Sequence, residues 1–203
     1  MQSKPYDVVL LPETKLINGS VKLSNTLSTF GVHFTLDNET FFPHISLYML
    51  QLNDLGLEQS FNLLSEIAKT SKAVRATTLD YHYENNYLDI EYHKSQELIS
   101  MQEKVLNKLN SIRDGMREKD KIRLADSAGE TRENLLKYGY RSIGNMFNPH
   151  LTFTRFFQNQ NDILKSLPPK ENLDGQFNAI GIFEMGDNGT CVKQVKVWKL
   201  QDL

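Results

Sequence analysis

Apolar and polar positions along the chain divide it into short alternating runs and longer helical stripes. Val8 to Leu11 form an apolar run closed by Pro12, the pattern of a short first strand. Pro12 and Glu13 suit a helix start, and Glu13 to Phe30 reads as a helix interrupted by Asn18-Gly19-Ser20. Gly31 to Leu36 alternates weakly, as a strand would, before the turn signal Asp37-Asn38-Glu39. FFPHISLYML then alternates as a strand from His44 onward, and Gly56 is expected to end that unit. Leu57 to Lys69 places Leu57, Phe61, Leu64, Ile67 and Ala68 near helical spacing. Val74 to Tyr83 and Tyr87 to Tyr92 read as a hairpin across Glu84-Asn85-Asn86. Ser95 to Arg113 is the clearest amphipathic helix, with Leu98, Met101, Val105, Leu109 and Ile112 on one stripe. Arg113 to Lys121 reads as a solvated face or loop, and Thr131 to Tyr138 as a shorter helix. FNPHLTFTRF is another strand. A short helix at Asp162 to Leu167 is stopped by Pro168-Pro169. Phe177 to Glu184 and Cys191 to Leu200 form a closing hairpin turned at Gly186 to Gly189. The mixture is α+β, with strands scattered from end to end and no low-complexity linker.

Composition narrows the class. Hydrophobic residues make up 39% and charged residues 24% of 203, an ordinary soluble balance. The net charge of −2 supplies no global basic field, so a small phosphorylated ligand fits better than duplex DNA. The single cysteine, Cys191, reads as a small buried hydrophobe. The opening MQSKPYDVVLLPE lacks a signal-peptide pattern, and no segment approaches the ~20 apolar residues of a membrane span. A cytoplasmic monomer without membrane contact is the expectation.

The candidate chemistry lies in an internal repeat. Phe41 to Leu50 and Phe147 to Phe156 share Phe, any residue, Pro, His, an aliphatic, a hydroxyl residue and a large apolar residue. The two copies stand about half the chain apart. On a strand, i and i+2 share a face, so His44 points with Ser46 and His150 with Thr152, opposite an apolar base. Pro43 and Pro149 lack an amide donor and suit strand starts. One neutral imidazole can take a proton while a protonated one gives it to a leaving oxygen. Ser46 and Thr152 could donate to the non-bridging oxygens of a phosphodiester, where charge grows in the transition state. By the same parity Tyr48 and Thr154 should line the cleft. Arg155 has the opposite parity and should face away unless the strand bends or ends.

Other chemistries fit less well. Two equivalent pairs argue against a Ser–His nucleophile, which needs one nucleophile and one orienting acid. There is no His-x-His, His-Glu-x-x-His or cysteine pair, so no metal is expected. His33, His82 and His93 show no partner pattern. Arg123, Arg132, Lys137 and Arg141, with Tyr138 and Tyr140 among them, could hold a nucleotide but read better as a solvated helix face. No glycine-rich phosphate loop is present, and no cofactor is expected.

His44-Ile45-Ser46 and His150-Leu151-Thr152 resemble the paired His-x-Ser/Thr motifs of the 2H phosphoesterase superfamily, which includes 2′-5′ RNA ligase-like proteins and 2′,3′-cyclic phosphodiesterases. The resemblance implies a two-lobed, pseudo-twofold, LigT-like α+β fold, with antiparallel sheets around a central cleft and helices outside. It implies one bilobal domain over residues 1–203, both lobes giving a motif strand to the cleft. It also implies catalytic His44 and His150, with His44 as proton donor and His150 as acceptor, and phosphate-binding Ser46 and Thr152. Arg155 stands where such proteins often carry Arg after the second motif, which makes it, with Tyr48 and Thr154, a candidate for substrate contact. The expected activity is metal-independent cleavage or ligation of 2′,3′-cyclic or 2′-5′ phosphodiesters of RNA ends or small nucleotides. The alternative is a catalytically silent module holding the same ligands in the same cleft.

Overall fold

The computed structural model describes residues 3–160 and 162–203; Met1 and Gln2 of the opening segment lie outside the described residues. In chain order the strands and α-helices are β1 (Lys4–Pro12), α1 (Thr14–Leu27), β2 (Ile45–Leu52), α2 (Asp54–Thr70), β3 (Val74–Ala76), β4 (Thr78–Glu84), β5 (Tyr87–Tyr92), α3 (Gln96–Leu109), α4 (Glu118–Asp126), α5 (Gly129–Tyr138), β6 (His150–Arg155), β7 (Gly175–Met185) and β8 (Cys191–Lys199). They build two antiparallel sheets. The larger has the order β2-β1-β7-β3, with β8 also pairing with β7; the smaller has the order β4-β5-β6. Both motif strands are therefore edge strands, and β2 comes into contact with β6.

Strand faces and helix stripes meet in one apolar cluster that draws Val8, Leu47 and Ile182 from the larger sheet and Leu88, Ile90 and Leu151 from the smaller. The stripe read on α3 is buried as expected at Leu98, Met101, Val105 and Leu109. Ser95 caps this helix by accepting from the Leu98 amide. The β4–β5 turn places Asn85 and Asn86 at φ 52° and 67°, the left-handed pair that a two-residue hairpin of type I′ requires.

Four local expectations change. Val74 to Tyr83 is two strands in different sheets, parted at Thr77. Asp174 holds the break, accepting at 2.7 Å from both the backbone N and the Oγ1 of Thr78. Gly56 lies inside α2, because Asn53 is the stronger start signal and its side chain accepts from the Gly56 amide. A Cβ on Gly56 would sit 2.9 Å from the Ile112 carbonyl oxygen, so that closeness requires glycine. Residues 31–36 make an isolated bridge, Val32 to Phe156, rather than a strand. Finally, the charged stretch from Arg113 to Lys121 is not simply solvated. It opens α4, and Arg117 and Asp120 are buried.

That buried pair fixes α4. Arg117 Nε donates to Asp120 Oδ2 at 2.7 Å, and Arg123 donates to the other oxygen at 2.9 Å. The Arg117 guanidinium also lies 5.5 Å from the Tyr140 ring centroid. Removing one partner of a buried ion pair leaves the other charge uncompensated, at a cost of about 3–5 kcal/mol. Asp120→Ala is therefore expected to lower the urea midpoint strongly, while Lys121→Ala, an exposed member of the same helix, leaves it nearly unchanged. Equal midpoints for the two variants would contradict this placement of α4.

Candidate active site

The repeat becomes a pair of matched local structures. His44 Nδ1 lies 2.6 Å from the Phe42 carbonyl oxygen, and His150 Nδ1 lies 2.8 Å from the Asn148 carbonyl oxygen. A carbonyl can only accept, so each Nδ1 carries the proton and, in the neutral ring, each Nε2 is left with its lone pair. In both cases the accepting residue is two before the histidine, and the residue between is proline, whose fixed φ sets the bend. The sequence Pro-His thus selects the tautomer as well as the position.

The second shared feature is a β-bulge. Along β1 and β2, Val9 faces Ser46 and Val8 faces Tyr48, so Leu47 has no partner. Along β5 and β6, Asp89 faces Thr152 and Leu88 faces Thr154, so Phe153 has no partner. An extra residue at the same place in each motif inverts the alternation beyond it. This corrects the parity expectation for Tyr48 and Thr154, which are both buried away from the cleft. The Tyr48 hydroxyl donates to the Tyr138 carbonyl at 2.7 Å, and Thr154 Oγ1 donates to the Phe34 carbonyl at 2.5 Å. In their stead Met49 and Gln51 line the cleft on β2. On β6 the inversion turns Arg155 to the cleft side. There it lies 5.0 Å from the Tyr87 ring centroid and donates to Asn188 Oδ1 at 2.7 Å. Tyr87 and Asn188 line the cleft wall.

His44, Ser46, His150 and Thr152 all line one cleft of about 1150 Å³, slightly above the ~300–1,000 Å³ range of small-molecule sites. Arg117, Lys119, Lys121 and Arg123 line the same cleft from the α4 region, and Tyr140 and Arg141 lie beside them. Part of the cation and aromatic group first read as a solvated helix face therefore borders the cleft. Arg132, Lys137 and Tyr138 do not. His82 also reaches the rim, where cross-strand pairing sets it beside Asp89, and the hydrogen bond to that carboxylate raises its pKa.

The two motifs differ in what stands behind them. Ser46 Oγ donates to Asp7 Oδ2 at 2.6 Å, and that same oxygen lies 3.8 Å from His44 Nε2. Asp7 is fully buried on β1, and its Oδ1 has no hydrogen-bond partner among the described residues. Burial pushes the Asp7 carboxyl up to about 7, against the opposing effects of the Ser46 bond and the Arg117 charge. Burial also pulls His44 down to about 4; the bond to Phe42 opposes this and the nearby His150 adds to it. Cys191 Sγ lies 3.7 Å from His44 Nε2, and burial raises its thiol well above the usual range. Ser46 has only one proton to donate, so it can donate to a phosphate only when Asp7 is protonated and donates to it. Thr152 has no such constraint: its backbone pairs with Asp89 in the ladder, and its hydroxyl makes no hydrogen bond among the described residues. Sequence reasoning missed Asp7 because a lone aspartate in an apolar run carries no spacing pattern.

No protein-family profile matches the chain, and no curated protein matches it. Solved structures do match. TT0787 of Thermus thermophilus superposes at a TM-score of 0.63 with 11% identity, over 98% of each chain. Escherichia coli LigT complexed with ATP gives 0.60 with 13% identity over 99% of each chain. A structure described as a phosphoesterase gives 0.62 with 12% identity, over 98% of this chain and 99% of that one. The expected LigT-like α+β fold is thus the fold of the protein.

The Asp7–His44 pair has a measurable signature. The Asp7 pKa rises on folding from 3.8 to about 7, so its contribution to stability falls as pH rises across that window. The His44 pKa falls on folding from 6.5 to about 4, so its contribution rises with pH over nearly the same window. Between pH 4.5 and 6.5 both folded and unfolded pairs hold one proton, and the two slopes cancel. Asp7→Asn leaves the histidine alone. Its stability is expected to climb by up to roughly 3 kcal/mol over this range, relative to the parent. Urea midpoints at pH 4.5 and 6.5 check this; parallel profiles in parent and variant would refute it.

Proposed function

We propose that this protein is a metal-independent phosphoesterase that cleaves 2′,3′-cyclic or 2′-5′ phosphodiesters of small nucleotides or RNA ends through His44 and His150. The observation that carries the reading is the matched pair of Pro-His strands, each holding its Nδ1 proton on a carbonyl and presenting its histidine to one cleft. Hydrolysis of a phosphodiester needs a proton taken from the attacking water and another given to the leaving oxygen. Two imidazoles on opposite walls can divide that work without a covalent intermediate. Solved complexes of Escherichia coli LigT hold ATP, NADP+, phosphate and 3′-AMP, the ligand chemistry this reading requires.

In this scheme His44 gives the proton and His150 accepts one, the roles that the 2H resemblance implies. Free of ligand, His44 is neutral at pH 7, and Asp7, its carboxyl pushed up to about 7, is the member of the pair that carries a proton around neutrality, about half of the time. A phosphate anion beside Nε2 favours the imidazolium and so draws a proton onto His44. Thr152 steadies a non-bridging oxygen, and the α4 cations hold further phosphate or ribose groups. Asp7 acts through His44 and Ser46 and is a positioning residue.

The test is turnover of 2′,3′-cyclic mononucleotides and 2′-5′-linked dinucleotides in excess EDTA. His44→Ala and His150→Ala are each expected to lower kcat by about 10²–10⁴-fold while far-UV circular dichroism is unchanged. Full activity in either variant would sink the two-histidine scheme. Saturable nucleotide binding without turnover would favour the silent binding module. Asp7→Asn is expected to lose more kcat at pH 7 than at pH 5, because His44 must then draw its proton from solution; a uniform loss would remove Asp7 from the proton supply.

A further inference from the structure

We propose that Asp7, His44 and Cys191 form a binding site for a thiophilic divalent cation of the zinc class, and that the bound ion silences His44. The three residues come from β1, the position just before β2 and the start of β8, and their ligand atoms all lie within 4.8 Å of one another. The distances suit one tetrahedral ion. Bond lengths of ~2.3 Å to sulfur, ~2.05 Å to nitrogen and ~2.1 Å to oxygen imply ligand separations of about 3.6 Å for S···N and about 3.4 Å for N···O. The corresponding separations here are 3.7 Å from Cys191 Sγ to His44 Nε2 and 3.8 Å from His44 Nε2 to Asp7 Oδ2. The third separation, Cys191 Sγ to the Asp7 carboxylate, lies within 4.8 Å against about 3.6 Å for a tetrahedral ion, so these two side chains draw together by up to about 1 Å to close the site.

Three further observations support it. His44 donates its other ring N–H to the Phe42 carbonyl, the arrangement that orients a metal-ligating imidazole. Asp7 is fully buried and its Oδ1 has no hydrogen-bond partner among the described residues, so a cation on Oδ2 would offset a carboxylate that Ser46 alone satisfies. A small alcove of about 20 Å³, room for one water or ion, is lined by His44, Cys191, Phe42 and Thr152. One sulfur, one imidazole and one carboxylate favour zinc over magnesium or calcium, which prefer all-oxygen shells. Three protein ligands leave a fourth position on the Thr152 side for water or a phosphate oxygen.

Binding is a simple exchange. The ion replaces the Cys191 thiol proton and any proton held on Asp7, both of which leave to solvent, and takes the His44 Nε2 lone pair; no electron is transferred. With Nε2 on the metal, His44 can neither accept nor give a proton. Loss of activity rests on the phosphoesterase reading, whereas binding of the ion does not.

The experiment is a titration of the full chain, reduced, with Co2+ and then Zn2+. One equivalent of Co2+ is expected to give a sulfur-to-cobalt charge-transfer band and the intense visible bands of a tetrahedral site, both removed by Zn2+. Cys191→Ser should lose the charge-transfer band and weaken zinc binding at least about tenfold, the least that losing even a group supporting a metal ligand costs. Its nucleotide turnover should match the parent in EDTA and resist zinc that inhibits the parent. Because Cys191 packs against Val9, Phe42 and Phe183, Cys191→Ala provides a second variant that keeps the apolar contact. A parent that shows only weak octahedral cobalt bands, or cysteine variants that bind zinc as tightly as the parent, would overturn the site. A parent with the full cobalt spectrum and no turnover would uphold the site and overturn the phosphoesterase reading instead.

Discussion

A strand sends successive side chains to opposite faces, and one unpaired residue inserted into one side of a ladder inverts that order. Leu47 and Phe153 are those inserted residues, at equivalent places in two strands about half the chain apart. Everything about the site follows from the inversion. Before it, a histidine and a hydroxyl residue face the cleft over an apolar base. Beyond it, Tyr48 and Thr154 turn inward and tie down neighbouring backbone, while Met49 and Gln51 line the cleft and Arg155 packs on the wall residues Tyr87 and Asn188. A straight strand would have exposed the tyrosine to the cleft and sunk the arginine into the core. The bulge residues are themselves fully buried, so the core holds each kink in place.

The repeat makes the two histidines alike, and their surroundings make them different. Behind His44 stand a buried carboxylate and a buried thiol; the bond held by Thr154 behind the second motif is a neutral one to a backbone carbonyl. A carboxyl and an imidazole in a shared low-dielectric space favour the neutral pair over the ion pair, and this explains why the two pKa values move toward and past one another. One fold copy thus sets a fully buried carboxylate behind its histidine, whereas the carboxylates beside the other, Asp89 and Glu91, lie across the β5–β6 ladder and are partly exposed. The symmetry of the backbone does not extend to the chemistry.

Much of the architecture was legible in the sequence, because amphipathic stripes and Pro-His repeats act locally. The stripe of α3 and the Asn-Asn turn depend on neighbours within a few residues and appear where expected. The two candidate histidines were legible for the same reason. What failed was information that spans the fold. The break at Thr77 is held by Asp174, far along the chain. Arg117 and Asp120 are buried because Met49, Met185 and Tyr140 close around them. The bulges left a faint trace: polar His44 and Ser46 share one parity, whereas polar Gln51 and Arg155 take the other. Read as a change of phase within each strand, that trace would have placed Arg155 and withdrawn Tyr48.

β2 and β6 each terminate a sheet, and they meet across the site. A sheet edge is an open row of hydrogen-bonding groups that invites pairing with another molecule, and soluble proteins blunt or hide such edges. Here concealment is achieved by turning two edges toward each other and setting α4 and the Gly186–Gly189 turn around the gap. Closing the cleft therefore bears on the chain's behaviour as a colloid as well as on the candidate site. A change that splays the two strands would expose two sticky rims at once, so loss of solubility should accompany loss of the site.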